Sequence, residues 1–216
     1  MPTDNAHMED SLGKTLGEVL AIIQARVLKE STYFGIPCQR NPMDFWIYQE
    51  IICALKPDVI IEIGNLRGGS TLSLAHLCDH LGKGRVLAVD VNHALVYQEA
   101  RNHPRITWVT GDACGVFDEI AAMCGGAATV LVIEDSSHEY RNTLNILEKY
   151  SQLVTVGSYL IVEDSICHHG LDEGPEPGPY EAITAFMEHN PRFSIEREKE
   201  SLLITWNPKG YLKRLS

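Results

Sequence analysis

The sequence predicts an α/β fold: a central, mostly parallel seven-stranded sheet with an antiparallel C-terminal hairpin, preceded by extra N-terminal helices. Three observations carry this. From Asp58 onward, β-branched runs at 59–63, 86–91, 106–109, 130–133 and 159–162 alternate with helical stretches, the pattern of parallel strands joined by crossover helices. These runs are almost wholly apolar, as strands covered on both faces must be. Two last runs, 193–196 and 202–206, are separated by the charged Arg197, Glu198, Lys199 and Glu200 and read as the hairpin.

Ahead of the sheet, Leu12, Leu16, Val19, Leu20, Ile23 and Val27 recur at three- and four-residue steps, so a helix is expected from Ser11 to about Lys29. Residues 1–10 are polar and are expected to be disordered. A second helix is expected from Asn41-Pro42, an N-cap followed by a proline tolerated in the first turn, up to Lys56-Pro57. Residues 1–57 thus form an N-terminal helical segment and 58–216 the main domain, together one compact unit. The Gly/Pro-rich stretch from Gly170 to Pro179 reads as a lid over a site.

Composition narrows the function. The chain has 216 residues, 18 basic against 29 acidic, for a net charge of −11. Such a field repels phosphate backbones and disfavours a nucleic acid partner. The six cysteines are scattered without a C-x-x-C pair, as reduced thiols are. No apolar run reaches the ~18 residues of a membrane span, and the N-terminus lacks signal-peptide features, so membrane insertion is not expected and a cytoplasmic location is. The apolar helix from Ser11 has no evident place on the sheet, and a homo-oligomer, most simply a dimer, is expected from it.

In open α/β sheets, ligands bind beyond the carboxyl ends of the strands. The first strand–helix turn reads Glu62-Ile63-Gly64-Asn65-Leu66-Arg67-Gly68-Gly69-Ser70. Its glycines permit a sharp turn and close backbone approach, and Ser70 is placed to cap the next helix. The turn is not G-x-G-x-x-G, and Glu62 would repel a pyrophosphate while suiting a ligand with an ammonium and a sulfonium. Asp90 ends the second run, where a carboxylate accepts ribose hydroxyls; Asp112, followed by Ala113, is placed to meet an adenine amino group. These residues resemble the class I S-adenosylmethionine-dependent methyltransferases, whose first motif is close to E-x-G-x-x-x-G-G. The resemblance covers roughly 58–206 and implies a Rossmann-like fold. It also implies S-adenosylmethionine bound by Glu62, Gly64, Asn65, Gly68, Gly69, Ser70, Asp90, Asp112, Ala113 and Asp135.

The fourth run ends at Glu134-Asp135 and the fifth at Glu163-Asp164. Asp135, Glu163 and Asp164 would converge, and close carboxylates repel unless a cation joins them. An all-oxygen set favours Mg²⁺, with Mn²⁺ or Ca²⁺ as alternatives. His138, three residues past Asp135, is the candidate general base; His168 and His169 are further bases or substrate contacts, and a zinc site of these histidines fits less well. The arrangement looks like that of metal-dependent catechol-type O-methyltransferases, although those enzymes put Lys where this chain has His138.

More closely, four stretches resemble the family named after a rhamnosyl O-methyltransferase and a so-called cephalosporin hydroxylase. They are Tyr33-Phe34-Gly35-Ile36-Pro37, Asp44-Phe45-Trp46-Ile47-Tyr48-Gln49-Glu50, Gly157-Ser158-Tyr159-Leu160-Ile161-Val162-Glu163-Asp164 and Asn207-Pro208-Lys209-Gly210-Tyr211-Leu212. This resemblance, over about 31–214, implies methylation of a hydroxyl on a sugar, such as a mannoside or rhamnoside of a polysaccharide or glycolipid, or on a natural product. Tyr33, Phe34, Trp46 and Tyr180 are candidates for stacking on a sugar face, and Gln49, His168 and His169 for polar acceptor contacts. Antibiotic tailoring, an iron oxygenase and a non-catalytic nucleotide-binding scaffold are the competing readings; the carboxylate-rich set argues against the second and is left without a purpose by the third.

Overall fold

The computed structural model describes residues 7–216. Part of the stretch expected to be disordered lies outside these residues; the rest includes a 3-10 turn at Glu9–Ser11. Helix α1 (Leu16–Glu30) starts later than expected, because a capping box stops it: the Thr15 hydroxyl accepts from the Glu18 amide and the Glu18 carboxylate accepts from the Thr15 amide. Leu12 and Leu16 are exposed, whereas Leu20 and Val27 pack with Ile166, Leu171 and Trp206. The helix therefore has a place in the single chain, and a homodimer built on an orphan helix loses that ground.

A short hairpin of β1 (Thr32–Tyr33) and β2 (Ile36–Pro37) turns through Phe34 and Gly35, both at positive φ, as tight hairpin turns require. Helix α2 (Pro42–Leu55) begins as expected, with the Asn41 side chain accepting from the Met43 amide at 3.1 Å.

The main sheet contains β3 (Val59–Ile63), β4 (Arg85–Asp90), β5 (Ile106–Thr110), β6 (Val130–Glu134), β7 (Tyr159–Val162), β8 (Phe193–Ile195) and β9 (Tyr211–Arg214), in the order β5-β4-β3-β6-β7-β9-β8. The first five are parallel, and β9 runs antiparallel to both β7 and β8. The expected α/β class and seven strands are thus present. Between the strands run α3 (Gly69–Leu81), α4 (Gln98–Arg101), α5 (Phe117–Met123), α6 (Tyr140–Tyr150) and α7 (Pro179–Glu188). Alternate strand residues feed two cores. Ile61, Val89 and Val132 meet Leu147 of α6 and Phe186 of α7 on one face. Ile60, Val86 and Leu131 meet Ile52 of α2 and Leu74 of α3 on the other. No helix is long and apolar enough to cross a membrane among the described residues.

The final strand departs from expectation. Residues 202–206 do not form a strand; Leu203 sits at φ 65 and is exposed. Asp44 of α2 captures the segment instead, its carboxylate accepting from Thr205 Oγ1 at 2.5 Å and the Trp206 amide at 2.8 Å. With those donors committed, and Pro208 lacking one, the ladder forms only from Tyr211.

Candidate functional site

The strand order reverses between β3 and β6, and a cavity of about 810 Å³ opens above their carboxyl ends, within the ordinary size of a small-molecule site. Its lining follows the sheet. Asp90 and Asp112 lie at the β4–β5 end, Gly64 and Asp135 at the centre, and Asp164 with Ile166 beyond β7, facing Gln24 and Leu28 of α1.

The turn after β3 is built for close approach. Gly64 has φ 91, and a Cβ there would run into the Asp135 main-chain carbonyl; the Asp135 amide in turn donates to the Ile63 carbonyl at 2.8 Å. Asp90 Oδ2 accepts from the Asn65 amide at 2.8 Å and the Leu66 amide at 3.3 Å, so this carboxylate shapes the turn as well as lining the cavity. Asp112 accepts from the Gly115 amide at 2.7 Å, and Asn65, Gly69, Ser70 and Ala113 also line the cavity.

Glu62 and Gly68 do not. Glu62 is fully buried, and its carboxylate accepts from Asn65 Nδ2 at 3.0 Å, from Thr71 Oγ1 at 2.5 Å and from Ser70 Oγ. Its role is to brace the turn from beneath, since every oxygen has a protein donor. The expected cap on α3 is likewise corrected: Gly68 occupies the N-cap position without a side-chain cap, and the Ser70 hydroxyl serves Glu62.

At the centre, Asp135, His138 and Asp164 bring one potential ligand atom each within 4.8 Å of one another. His138 Nε2 lies 3.2 Å from Asp164 Oδ2 and 4.0 Å from Asp135 Oδ1. His138 and Asp164 both hold positive φ, 58 and 56, a strained conformation for non-glycine residues that clusters at functional sites. The stretch after Trp206 fixes Asp164: Asn207 Oδ1 accepts from its amide at 3.1 Å, and the next residue's hydroxyl, on Ser165, donates to the Pro208 carbonyl.

Glu163 lies just beneath this group, 3% exposed, and accepts from Tyr48 Oη at 3.0 Å and from Arg40 Nη2. The same Arg40 nitrogen is 3.3 Å from Glu62 and 3.7 Å from Asp135. Burial pushes the Asp135 carboxyl well above the usual range, Glu163 and Asp164 push it further, and Arg40 opposes them. Glu163 is pushed up to about 8 by burial against the opposing pull of Arg40. Asp164 is raised by burial and held back by His138 and Arg40. Carboxylates crowded in this way favour a cation.

None of Tyr33, Gln49, His168, His169 and Tyr180 lines the cavity. The Tyr33 hydroxyl pairs with His76 Nδ1 at 3.1 Å, on the outer side of α3. Gln49 is on α2. His168 Nε2 is 3.1 Å from the Gly174 carbonyl; His169 bonds Glu181 at 2.6 Å and stacks on Tyr180 with 3.6 Å between ring centroids. These three knit the 170–179 loop to α7. Phe34 and Trp46 are exposed away from the cavity, and Trp206 is the aromatic residue that lines it beside His138. Arg40, Tyr48 and Trp206 escaped the sequence reading. Asp44 and Tyr48 did leave a trace, since both are polar yet share the apolar phase of Ile47, Ile51 and Ile52.

Comparison with known proteins matches a family model described as Rhamnosyl O-methyltransferase/CmcI over residues 25–215. The chain belongs to this family. It is 33% identical over 195 residues to the rhamnosyl O-methyltransferase of Mycobacterium tuberculosis, covering 87% of this chain and 80% of that protein. The enzyme of that name from Mycobacterium leprae is 33% identical over 196 residues, with 87% and 85% covered. Among solved structures, CmcI with Mg and SAM superposes with a TM-score of 0.69 at 20% identity, covering 86% of this chain and 77% of that one. An O-methyltransferase from Bacillus cereus with SAH gives 0.55 at 22% identity, covering 86% and 85%. These likenesses support the Rossmann-like methyltransferase fold, and family membership makes the chain an S-adenosylmethionine-dependent O-methyltransferase.

Proposed function

We propose that this enzyme methylates a sugar hydroxyl, with a divalent cation, Mg²⁺ first among the candidates, held by Asp135, Glu163 and Asp164. The observation that carries the reading is the Asp135, His138 and Asp164 group at the middle of the cavity. The mycobacterial relatives are named for rhamnosyl acceptors, and one CmcI structure holds Mg with SAM. Two chemical features of the site fit these ligands. The cluster is rich in carboxylates raised by burial, and the Asp90 and Asp112 carboxylates line the same cavity, acceptors suited to hydroxyl and amino donors.

The roles assigned to the residues are supported by their places around the cavity. Gly64, Asn65 and Gly69 would hold the methionine part of S-adenosylmethionine, with Gly64 packing the turn against Asp135, and Asp90 and Asp112 would take its ribose and adenine. The reaction is an in-line displacement at the sulfonium methyl, so alignment of the acceptor oxygen is the main demand on the protein. When bound, the divalent ion supplies orientation of the hydroxyl and stabilisation of its developing negative charge. His138 Nε2 takes the hydroxyl proton, and Asp164, 3.2 Å away, stabilises the imidazolium that results. Trp206, Gln24 and Leu28 border the acceptor end.

Exhaustive dialysis against EDTA is expected to abolish methyl transfer to a glycoside panel, and Mg²⁺ to restore it. Full activity after EDTA would overturn the metal reading. A second assignment is favoured by the 4.8 Å grouping itself, with His138 as a ligand instead of the base. His138→Ala then lowers ion affinity, whereas loss of the base lowers kcat by ~10²–10⁴ with ion affinity retained.

A further inference from the structure

Arg40 stands where three strand ends meet. Its Nη2 reaches Glu62 from β3, Asp135 after β6 and Glu163 after β7. The side chain is only 2% exposed, and its other two nitrogens, Nε and Nη1, have no hydrogen-bond partner among the described residues. The guanidinium also lies 4.7 Å from the centroid of the Tyr48 ring. It is therefore held through one nitrogen and an aromatic face, not by the two parallel bonds that lock an arginine on a carboxylate.

Three carboxyl groups, those of Glu62, Asp135 and Glu163, thus share one guanidinium nitrogen, and Asp164 stands beside Asp135 as a fourth. Removing the guanidinium would leave them uncompensated, the costly situation for buried charges. Two of the carboxylates that Arg40 neutralises, Asp135 and Glu163, are the ones assigned to the divalent ion.

We propose that Arg40 is a built-in counter-cation that keeps the carboxylates assembled before the ion arrives and competes with it for Asp135 and Glu163. Arg40 is thus a positioning residue that sets how weakly the ion binds. The inference rests on the metal reading above. An ion held by Asp135 and Glu163 would take those carboxylates from the guanidinium and leave it on Tyr48 and Glu62. Because Glu62 also braces the cofactor turn through Asn65, Ser70 and Thr71, the same movement links ion binding to cofactor binding.

The test is calorimetric titration with Mn²⁺ at fixed pH, with and without S-adenosylhomocysteine, on the wild type, Arg40→Gln and Arg40→Lys. Arg40→Gln should bind Mn²⁺ at least tenfold more tightly than the wild type, while Arg40→Lys, which keeps the charge, should stay within about threefold. S-adenosylhomocysteine should shift the wild-type ion affinity more than that of Arg40→Gln. Binding by Arg40→Gln that is no tighter than the wild type's, or binding by Arg40→Lys as tight as that of a tightened Arg40→Gln, overturns the proposal while leaving the metal reading intact. Absence of Mn²⁺ binding by all three proteins removes both. If Arg40→Gln unfolds alone, millimolar Mn²⁺ should restore its cooperative melting; failure to do so also overturns the proposal, since the ion then does not replace the guanidinium.

Discussion

Gly64→Ala tests whether the cofactor turn and the catalytic centre are one unit. Two costs arise at this position. The backbone holds φ 91, and the added methyl would collide with the carbonyl of Asp135. Gly126 separates them, because it has φ 83 with nothing within 4 Å of an added methyl. Gly126→Ala should therefore cost only the left-handed backbone penalty, about 1–2 kcal/mol. Gly64→Ala adds an overpacking term of about 1–3 kcal/mol, for a total of about 2–5 kcal/mol, because the Asp135 peptide is held by its bond to Ile63 and yields poorly. Urea denaturation measures both. S-adenosylhomocysteine affinity should fall more than tenfold in Gly64→Ala and stay unchanged in Gly126→Ala. Equal stability loss in the two variants, with cofactor affinity intact in both, would refute the claim that the turn packs directly on Asp135.

Tyr48→Phe removes a donor to Glu163 and an acceptor for Asn207 Nδ2 at 3.2 Å, and should lower stability by about 1–3 kcal/mol in chemical denaturation, the cost of leaving buried partners unmatched. Asp90→Ala should weaken S-adenosylhomocysteine binding in calorimetry by at least tenfold, as it loosens the Asn65 and Leu66 amides of the turn and removes the carboxylate proposed to hold the ribose. Asp58 gives the pH test. Its pairing with Lys83 and the amides of Thr129 and Ala128 lowers its pKa below 3.8, so its contribution is present above that value and lost as pH falls through the lowered folded value. Asp58→Ala should cost about 0.5–1 kcal/mol at pH 7, a small figure because solvent screens the group, and nothing at about pH 2; an equal cost at both pH values would contradict it. Trp206→Leu should raise KM for the glycoside acceptor with little change in S-adenosylhomocysteine affinity, and a selective loss of the cofactor would place Trp206 at the wrong end of the cavity.

Much of the fold was legible because its signals are local. The five parallel strands are apolar runs, and the second helix announces its start through Asn41 and Pro42. Asp135, Glu163 and Asp164, with His138 close by, could be placed together in advance because they follow neighbouring strand ends, although Glu163 lies beneath the others on Tyr48 and Arg40. Other features depend on distant partners. Residues 202–206 have strand-like composition, yet Asp44, 161 residues before Thr205, takes the amide and hydroxyl that a ladder would need. Arg40 draws its meaning from carboxylates on three strands, so nothing next to it in sequence marks it. Residue type alone marks the aromatic candidates for stacking, whereas Tyr180 stacks on His169 and Tyr33 holds His76. The motif marks Glu62 as a cofactor residue, whereas packing makes it a brace under the turn, a distinction that requires knowing where its donors lie.

The Asp44 junction also bears on how the chain acquires its site. Its carboxylate accepts from Thr205, Trp206 and Tyr211, all of them made long after helix α2. A ribosome that has not yet released those residues from its tunnel presents α2 with an acceptor for which no donors have emerged, and Asn207 cannot yet reach Tyr48 or the amide of Asp164. Formation of the end of the cavity that holds Asp164 is thereby deferred until the segment through Tyr211 is free, after the half built on β3, β4 and β5 can already have folded. A nascent polypeptide stalled short of Thr205 should show a protected β3–β5 half and a protease-sensitive Asp164 end, so that emergence of this segment itself acts as the checkpoint on completing the cavity.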